Sequence, residues 1–340
     1  MEAINEKTAT DKTDTRRTIR ERCREEWETS GRVFCSVVAD EAVNAAYLTW
    51  KACAAKWKKG AKASLSFRSI RDERQTFVVQ KLSASGVFPL KLGEAHATET
   101  IPAEAVGRMA TVSWCRGRWF LQAQKHIVTK SIPSAGERVA LDPGVRTFMT
   151  YFSRQDAGKY GDEFSTKILL PLLHQHDREL SARSKLVALK SDAQWWRDQM
   201  RRANKRVWRT ANRIHDLTED LHRRVAYDLV SRYDTIILPT FETKQMTKKG
   251  RKLRKRTVRE MLNLGFYKFA QTLKWMCEKY GKTLVMCSEE YTSKTRSWDG
   301  VIHPKLGSAR SISDGVITVD RDINGARGIM LKTLTRQLTP

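Results

Sequence analysis

Apolar positions along this chain follow two spacings. From Asp40 to Lys58, the residues Val43, Ala46, Tyr47, Trp50, Cys53, Ala54 and Trp57 recur three or four apart, which predicts a helix with lysines on its outer side. Shorter runs at Ser64–Phe67, Thr76–Gln80, Gly86–Lys91, Met109–Trp114 and Trp119–Ala123 are rich in β-forming residues and read as strands. The first 25 residues are polar and charged and are expected as a disordered tail. Residues 26–135 are therefore expected as a mixed α+β module. No period of about 20–50 residues recurs, which excludes a repeat architecture.

The texture changes at Arg138. Val139 and Leu141 alternate with Ala140 and Asp142, a Pro-Gly turn follows, and a second apolar run reaches Phe152, so this segment predicts a β-hairpin. Helical spacing covers Thr166–Lys190 and Asp192–Arg232, where Val207, Ala211, Ile214, Leu217, Leu221, Val225 and Leu229 keep a three-to-four step. The two are expected to pair as a helical hairpin. Thr235–Leu238 is a short strand stopped by Pro239, Lys252–Tyr280 reads as a helix, Thr283–Cys287 as a strand and Asn324–Leu338 as a last helix. Strands alternating with helices predict an α/β domain over 136–338.

Charge narrows the function. The chain has 63 Lys+Arg against 38 Asp+Glu, a net charge of +25. That excess disfavours enzymes of small anionic metabolites and favours a polyanionic partner, above all nucleic acid. No stretch of about 18 apolar residues exists, so no membrane span is expected, and the polar N-terminus lacks a secretory signal. Cys23, Cys35, Cys53, Cys115, Cys277 and Cys287 include no C-x-x-C pair and read as free thiols of a reducing compartment. No G-x-x-x-x-G-K-[ST] loop is present, so a nucleotide-hydrolysing motor is not indicated.

Carboxylates in this basic chain fall at element ends. Asp142 ends a strand, Glu289 and Glu290 follow the strand Thr283–Cys287, and Asp320 and Asp322 open the last helix. An Asp-Pro-Gly turn or a helix N-cap accounts for any one of them alone. Together they suit hard-oxygen ligation of Mg²⁺ at a phosphodiester. Four ordered segments carry a resemblance: Asp142-Pro-Gly-Val-Arg-Thr-Phe, Ile-Ile-Leu-Pro-Thr-Phe-Glu-Thr-Lys-Gln-Met246, Glu-Glu-Tyr-Thr-Ser-Lys-Thr295 and Asp-Arg-Asp-Ile-Asn-Gly-Ala-Arg-Gly-Ile329. Over about 138–332 the chain resembles the Fanzor/TnpB family of transposon-encoded RNA-guided nucleases, more closely its Fanzor branch. Phe67-Arg-Ser, Gln75-Thr-Phe and Phe88-Pro-Leu-Lys-Leu-Gly93 resemble the family's wedge and recognition region more loosely.

The resemblance implies an α/β RNase H-like (RuvC) nuclease domain with long helical insertions and an N-terminal wedge/recognition module. It implies a triad of Asp142, Glu289 and Asp322 as catalytic and metal-binding residues, with Mg²⁺ (or Mn²⁺). Asp320 matches a non-catalytic neighbour. The middle position of most TnpB proteins is Pro239 here, so the role moves to Glu289, with Glu290 and Glu242 as alternates. The family's zinc-ribbon lobe corresponds to 291–318, but its four ligand positions are Arg296, Asp299, Ser311 and Asp314, so no zinc is expected.

Two basic runs point to phosphate contact: Arg197, Arg201, Arg202, Lys205, Arg206, Arg209 and Arg213, and then Lys248, Lys249, Arg251, Lys252, Arg254, Lys255 and Arg256. A solvated helix face is the alternative for the first and a nuclear localisation signal for the second. Trp50, Trp57, Trp195, Trp196 and Trp208 are expected in helix packing. His174 and His176 are expected at the surface. The implied function is RNA-guided DNA cleavage by a monomeric ribonucleoprotein of guide RNA, with double-stranded DNA as target and no membrane partner. It would act in the nucleus of a eukaryotic host, otherwise in cytoplasm with nucleoid DNA. A guide-binding relative that no longer cuts and an unguided RuvC-like nuclease remain alternatives.

Overall fold

The computed structural model describes residues 16–30, 36–66, 69, 72–87, 98–133, 136–240, 254–287, 294–303 and 309–338. It divides into two compact units, Met1–His126 and Ile127–Pro340. The division falls nine residues before the expected 135/136 boundary, because the segment after Ile127 is held by the second unit. Lys130 N–H donates to the Lys279 carbonyl at 2.9 Å, and the buried Lys282 ammonium donates to the Ile132 carbonyl at 2.8 Å and to Asp234 at 2.7 Å.

In the first unit, α1 (Arg16–Thr29) precedes α2 (Ser36–Lys58). Residues 16–25 are thus helical, where a disordered tail is expected from their polarity. Arg24 pairs with Asp40 of α2 at 2.8 Å, a partner that lies well downstream in the sequence. Strands β1 (Arg74–Val79), β2 (Ala110–Cys115) and β3 (Arg118–Ala123) form an antiparallel sheet in that order. Val79, Leu82, Ala105, Ala110 and Val112 make its core. Residues 64–66 take no regular structure, so the expected strand there does not form.

The second unit is built on a five-stranded sheet. Its strands are β4 (Arg138–Pro143), β5 (Thr147–Ser153), β6 (Ala157–Asp162), β7 (Thr235–Pro239) and β8 (Thr283–Cys287), in the order β6-β5-β4-β7-β8. β4–β5–β6 are antiparallel, whereas β4–β7–β8 are parallel. β4 is central, and Val139, Ala140 and Leu141 are all fully buried, as a strand covered on both faces requires. The edge strand β6, Ala-Gly-Lys-Tyr-Gly-Asp, carries almost no apolar signal and is absent from the pattern-based reading.

Opposite faces receive different cover. Val139, Leu141, Ile236 and Leu238 face a large core shared with α4 (Gln194–Arg232) and α6 (Phe266–Tyr280), through Val225, Leu229, Phe269 and Leu273. Ala140 and Ile237 face α7 (Arg321–Leu338) through Ile329 and Met330. A π-turn at Ser165–Leu169 leads into α3 (Leu170–Ala188), which pairs with α4 as the expected hairpin; Trp196 Nε1–H donates to the Leu186 carbonyl at 2.8 Å. At 39 residues, α4 is about 58 Å long.

The single helix expected over Lys252–Tyr280 is two among the described residues, α5 (Lys255–Leu264) and α6, broken at Gly265 with φ +60°. A left-handed residue ends α5 cheaply only as glycine. His222 of α4 hydrogen-bonds the freed Leu264 carbonyl at 2.8 Å. A two-stranded ribbon, β9 (Ser311–Ser313) and β10 (Thr318–Asp320), leads into α7. Among the described residues no helix is long and apolar enough to cross a membrane.

Candidate functional site

Strand alternation sets where Asp142 points. Val139 and Leu141 enter the large core, so Ala140 and Asp142 take the α7 face. The carboxylate reaches the first turns of α7, where an added Cβ on Gly325 would overlap Asp142 Oδ2. A side chain there would push the Asp142 carboxylate aside. Asp322 stands three residues before Gly325, so it lies about one turn away on the same helix face.

Asp320 caps α7. Its Oδ1 accepts the N–H of Asp322 at 2.9 Å and of Ile323 at 3.3 Å, and its Oδ2 accepts from Lys159 of β6 at 2.7 Å. Partial burial works against the Asp320 charge, but the Lys159 hydrogen bond and the helix N–H groups outweigh it and hold the carboxyl below its ordinary value. Lys159 is shifted upward, first by its hydrogen bond to Asp320, with the nearby charges of Asp322 and Asp162 adding to it. Asp142 is in register with Thr150, and Thr150 with Lys159. Lys159, Thr150 and Asp142 therefore form one row across the sheet, beside the positive end of the α7 dipole. Sequence reasoning missed Lys159 because β6 has no hydrophobic pattern, and missed Gly325 because only the packed helix shows what it makes room for.

Asn324 is fully buried in the same turn. Its Oδ1 accepts the Ser297 N–H at 2.9 Å, and its Nδ2 donates to the Thr295 carbonyl at 2.8 Å. It fastens the 295–297 segment beside Asp322. In this lobe Arg296 and Asp299 form a two-point ion pair at 2.7 and 3.1 Å. Asp314 accepts from Ile317 N–H at 2.7 Å, Val316 N–H at 2.9 Å and Trp298 Nε1–H at 2.7 Å. Those bonds, the Ile317 N–H foremost, hold its carboxyl at about 2. Ser311, the remaining position, pairs with Asp320 in the β9–β10 ribbon.

Glu289, Glu290 and Glu242 lie outside the described residues, as do Lys248, Lys249, Arg251 and Lys252. Among the described residues no group of three His, Cys, Asp or Glu side chains could hold a metal. Asp142 and the first turn of α7 supply two hard carboxylates, which suit Mg²⁺ or Mn²⁺ in donor type, and a further ligand would have to come from outside them.

Arg197, Arg201, Arg202, Lys205, Arg206, Arg209 and Arg213 are all exposed along α4. Arg201 approaches Asp198 at 3.7 Å, and the other six meet no described carboxylate within 4.0 Å. Arg254, Lys255 and Arg256 are exposed at the start of α5, with Arg256 on Glu260 at 3.0 Å. Trp57 and Trp195 are 43% and 56% exposed, so neither is the packing residue expected from helical spacing. His174 is exposed and His176 partly so.

The Cas12f1-like TNB domain family matches residues 266–329. A putative transposase of Paramecium bursaria Chlorella virus 1 is 32% identical over 203 residues, covering 58% of this chain and 44% of the relative. A TnpB-like protein of Acanthamoeba polyphaga mimivirus is 22% identical over 302 residues, covering 86% and 56%. The chain thus spans about half the length of the curated relatives it matches. Among solved structures, a Cas12f1–sgRNA–target DNA complex aligns with 66% of this chain and 46% of that one, at 12% identity and a TM-score of 0.42.

Proposed function

This chain is related to the TnpB family, and from that premise we propose that it is an RNA-guided, transposon-associated DNA endonuclease with a RuvC-like site. The sheet order β6-β5-β4-β7-β8, with β4 central and α7 on one face, supports an RNase H-like assignment of 136–338. The observation that carries the reading is the Asp142 carboxylate lodged over Gly325, one turn from Asp322.

In this proposal Asp142, Asp322 and Glu289 hold the metal. Mg²⁺ or Mn²⁺ would supply an activated water and stabilise the leaving oxygen of the phosphodiester. Asp320 and Lys159 fix the first turn of α7 and so the placement of Asp322. Glu289 is preferred over Glu290 because it stands one residue removed from Tyr-Thr-Ser, the place that the resemblance to the Fanzor branch implies. The exposed arginines of α4 and the basic stretch 248–256 bind phosphates of a guide RNA and its heteroduplex with double-stranded target DNA, base pairing reading the sequence. The module 26–135 serves as wedge and recognition region, the particle is a monomeric ribonucleoprotein, and in a eukaryotic host it works in the nucleus. Kinship closest to the Fanzor branch belongs to this proposal too.

The test is cleavage of matched DNA by the purified ribonucleoprotein with Mg²⁺. Asp142→Ala and Glu289→Gln abolish cutting and leave RNA binding near wild type, whereas Glu242→Gln spares most of it. A wild type that binds one discrete RNA but cuts no matched target, whatever flanking motif is offered, leaves the binding-only reading. Cutting without a discrete copurifying RNA leaves the unguided one. The family's four zinc-ligand positions are Arg296, Asp299, Ser311 and Asp314 here, of which Arg296 and Asp299 pair and Asp314 accepts three hydrogen bonds, so elemental analysis should find far less than one zinc per chain.

A further inference from the structure

On the outer side of the helical layer, α4 and α6 enclose a groove of about 800 Å³. It lies within the second unit, beyond the large core and so behind the sheet face that carries Asp142. Arg223, Arg224 and Tyr227 of α4 line one wall, and Lys268, Trp275 and Lys279 of α6 the other. No described acidic side chain lines it. Tyr227 is 52% exposed and Trp275 45% exposed. Lys279 Nζ sits 5.0 Å from the Trp275 ring centroid and 5.2 Å from that of Tyr280, and Tyr227 meets Tyr280 edge-on at 6.0 Å.

Neutralisation by the chain's own acids is partial. Arg223 reaches Glu219 at 3.5 Å and Arg224 reaches Asp220 at 2.9 Å, both i,i+4 pairs of exposed arginines, and Lys268 also uses Glu219. Three of the groove's cations thus share two carboxylates, neither of which lines the groove. Exposed pairs of this kind are weak, and a phosphate exchanges for them readily. Cations beside half-exposed aromatic faces are what an unpaired nucleotide chain requires: phosphates meet Arg and Lys while bases stack on Trp and Tyr. A paired duplex offers no free base face to these rings.

We propose that this groove binds a single-stranded segment of RNA. The inference rests on the guided-nuclease reading for the choice of RNA, since the DNA strand to be cut must approach Asp142 and Asp322 on the other side of the sheet, whereas a guide need not. It adds a contact surface on α6 and the C-terminal half of α4 that neither basic run contains.

The experiment uses the full chain freed of nucleic acid and a labelled oligouridylate of about 20 nucleotides, close to a guided heteroduplex in length. An oligodeoxythymidylate and a DNA duplex of equal length serve as competitors. Trp275→Ala and Tyr227→Ala should each weaken RNA binding by about 5- to 100-fold, the loss expected of one stacked base, while Trp275→Phe restores most of it and melting temperatures stay near wild type. Wild-type protein irradiated with 4-thiouridine-substituted RNA should yield crosslinked peptides from 266–280, a readout that does not depend on any variant folding. Unchanged affinity in both alanine variants, crosslinks confined to other segments, or tighter binding of the oligodeoxythymidylate or the duplex overturns the proposal. Cleavage reports separately: if Asp142→Ala stops cutting while the groove variants bind RNA normally, the groove inference falls and the nuclease reading stands. If groove variants lose RNA but no wild-type cutting is found, the reverse holds.

Discussion

One strand faces two environments in this protein. On β4, Val139 and Leu141 enter a core with Phe148, Leu229, Phe269 and Leu273, whereas Ala140 and Asp142 meet α7. The first face is thick and apolar, and the groups there earn their place by packing. The second has the small cluster Ala140, Ile237, Ile329 and Met330, and beyond it the polar turn of Asp320, Asp322, Asn324 and Gly325. The difference teaches that neighbouring residues of one strand can be judged by different measurements, stability for one and chemistry for the other.

Substitutions one residue apart test that separation most strongly. Asp142→Asn keeps the size of the side chain and, on the proposed nuclease reading, removes a metal-ligand charge, so cleavage should fall about a thousandfold or more with little change in melting temperature. Leu141→Ala should do the opposite, costing about 2–5 kcal/mol of stability, read as a lower denaturation midpoint. If Asp142→Asn unfolds the chain, the polar face is structural and the comparison fails.

A titrating group on the apolar face sharpens it. His222 stacks on Phe148 with ring centroids 5.2 Å apart and lies in the core with its Nδ1 unpaired among the described residues. Burial lowers its pKa from 6.5 to about 4, against the opposing hydrogen bond to the Leu264 carbonyl. The unfolded chain then takes up a proton that the folded chain refuses, so this contribution is complete above pH 6.5 and is lost as the pH falls towards 4. The loss amounts to about 3 kcal/mol. Urea denaturation of wild type and His222→Gln across that range should show the difference, with the variant lacking this slope.

The smallest effect concerns the clamp on the other face. Asn324→Ala leaves the Ser297 N–H and the Thr295 carbonyl without their partner, which costs about 1–3 kcal/mol. Hydrogen exchange should rise in 294–303 before it rises in the sheet. Equal protection in the variant and wild type would show that Asn324 does not hold the lobe.

Elements whose burial is periodic were legible in the residues alone. The heptad-like step from Val207 to Leu229 yields α4, and the apolar runs at Arg138–Phe152, Thr235–Leu238 and Thr283–Cys287 yield four of the five strands of the sheet. The sequence also singled out Asp142, a carboxylate at the end of an apolar strand, and offered Asp320 and Asp322 at the start of the last helix, between which the family resemblance preferred Asp322. Where periodicity is silent, long-range packing settled the outcome. β6 is polar and exists because β5 offers it a hydrogen-bonding edge; α1 includes residues that read as a tail because Asp40 answers Arg24; and the expected helix over 252–280 divides at Gly265 because His222 and a left-handed residue satisfy its end. Lys159 and Gly325 became site residues in the same way. A local pattern records which face of an element is buried, but the partner that face will meet depends on contacts far along the chain, such as Lys159 to Asp320 and Asp142 to Gly325.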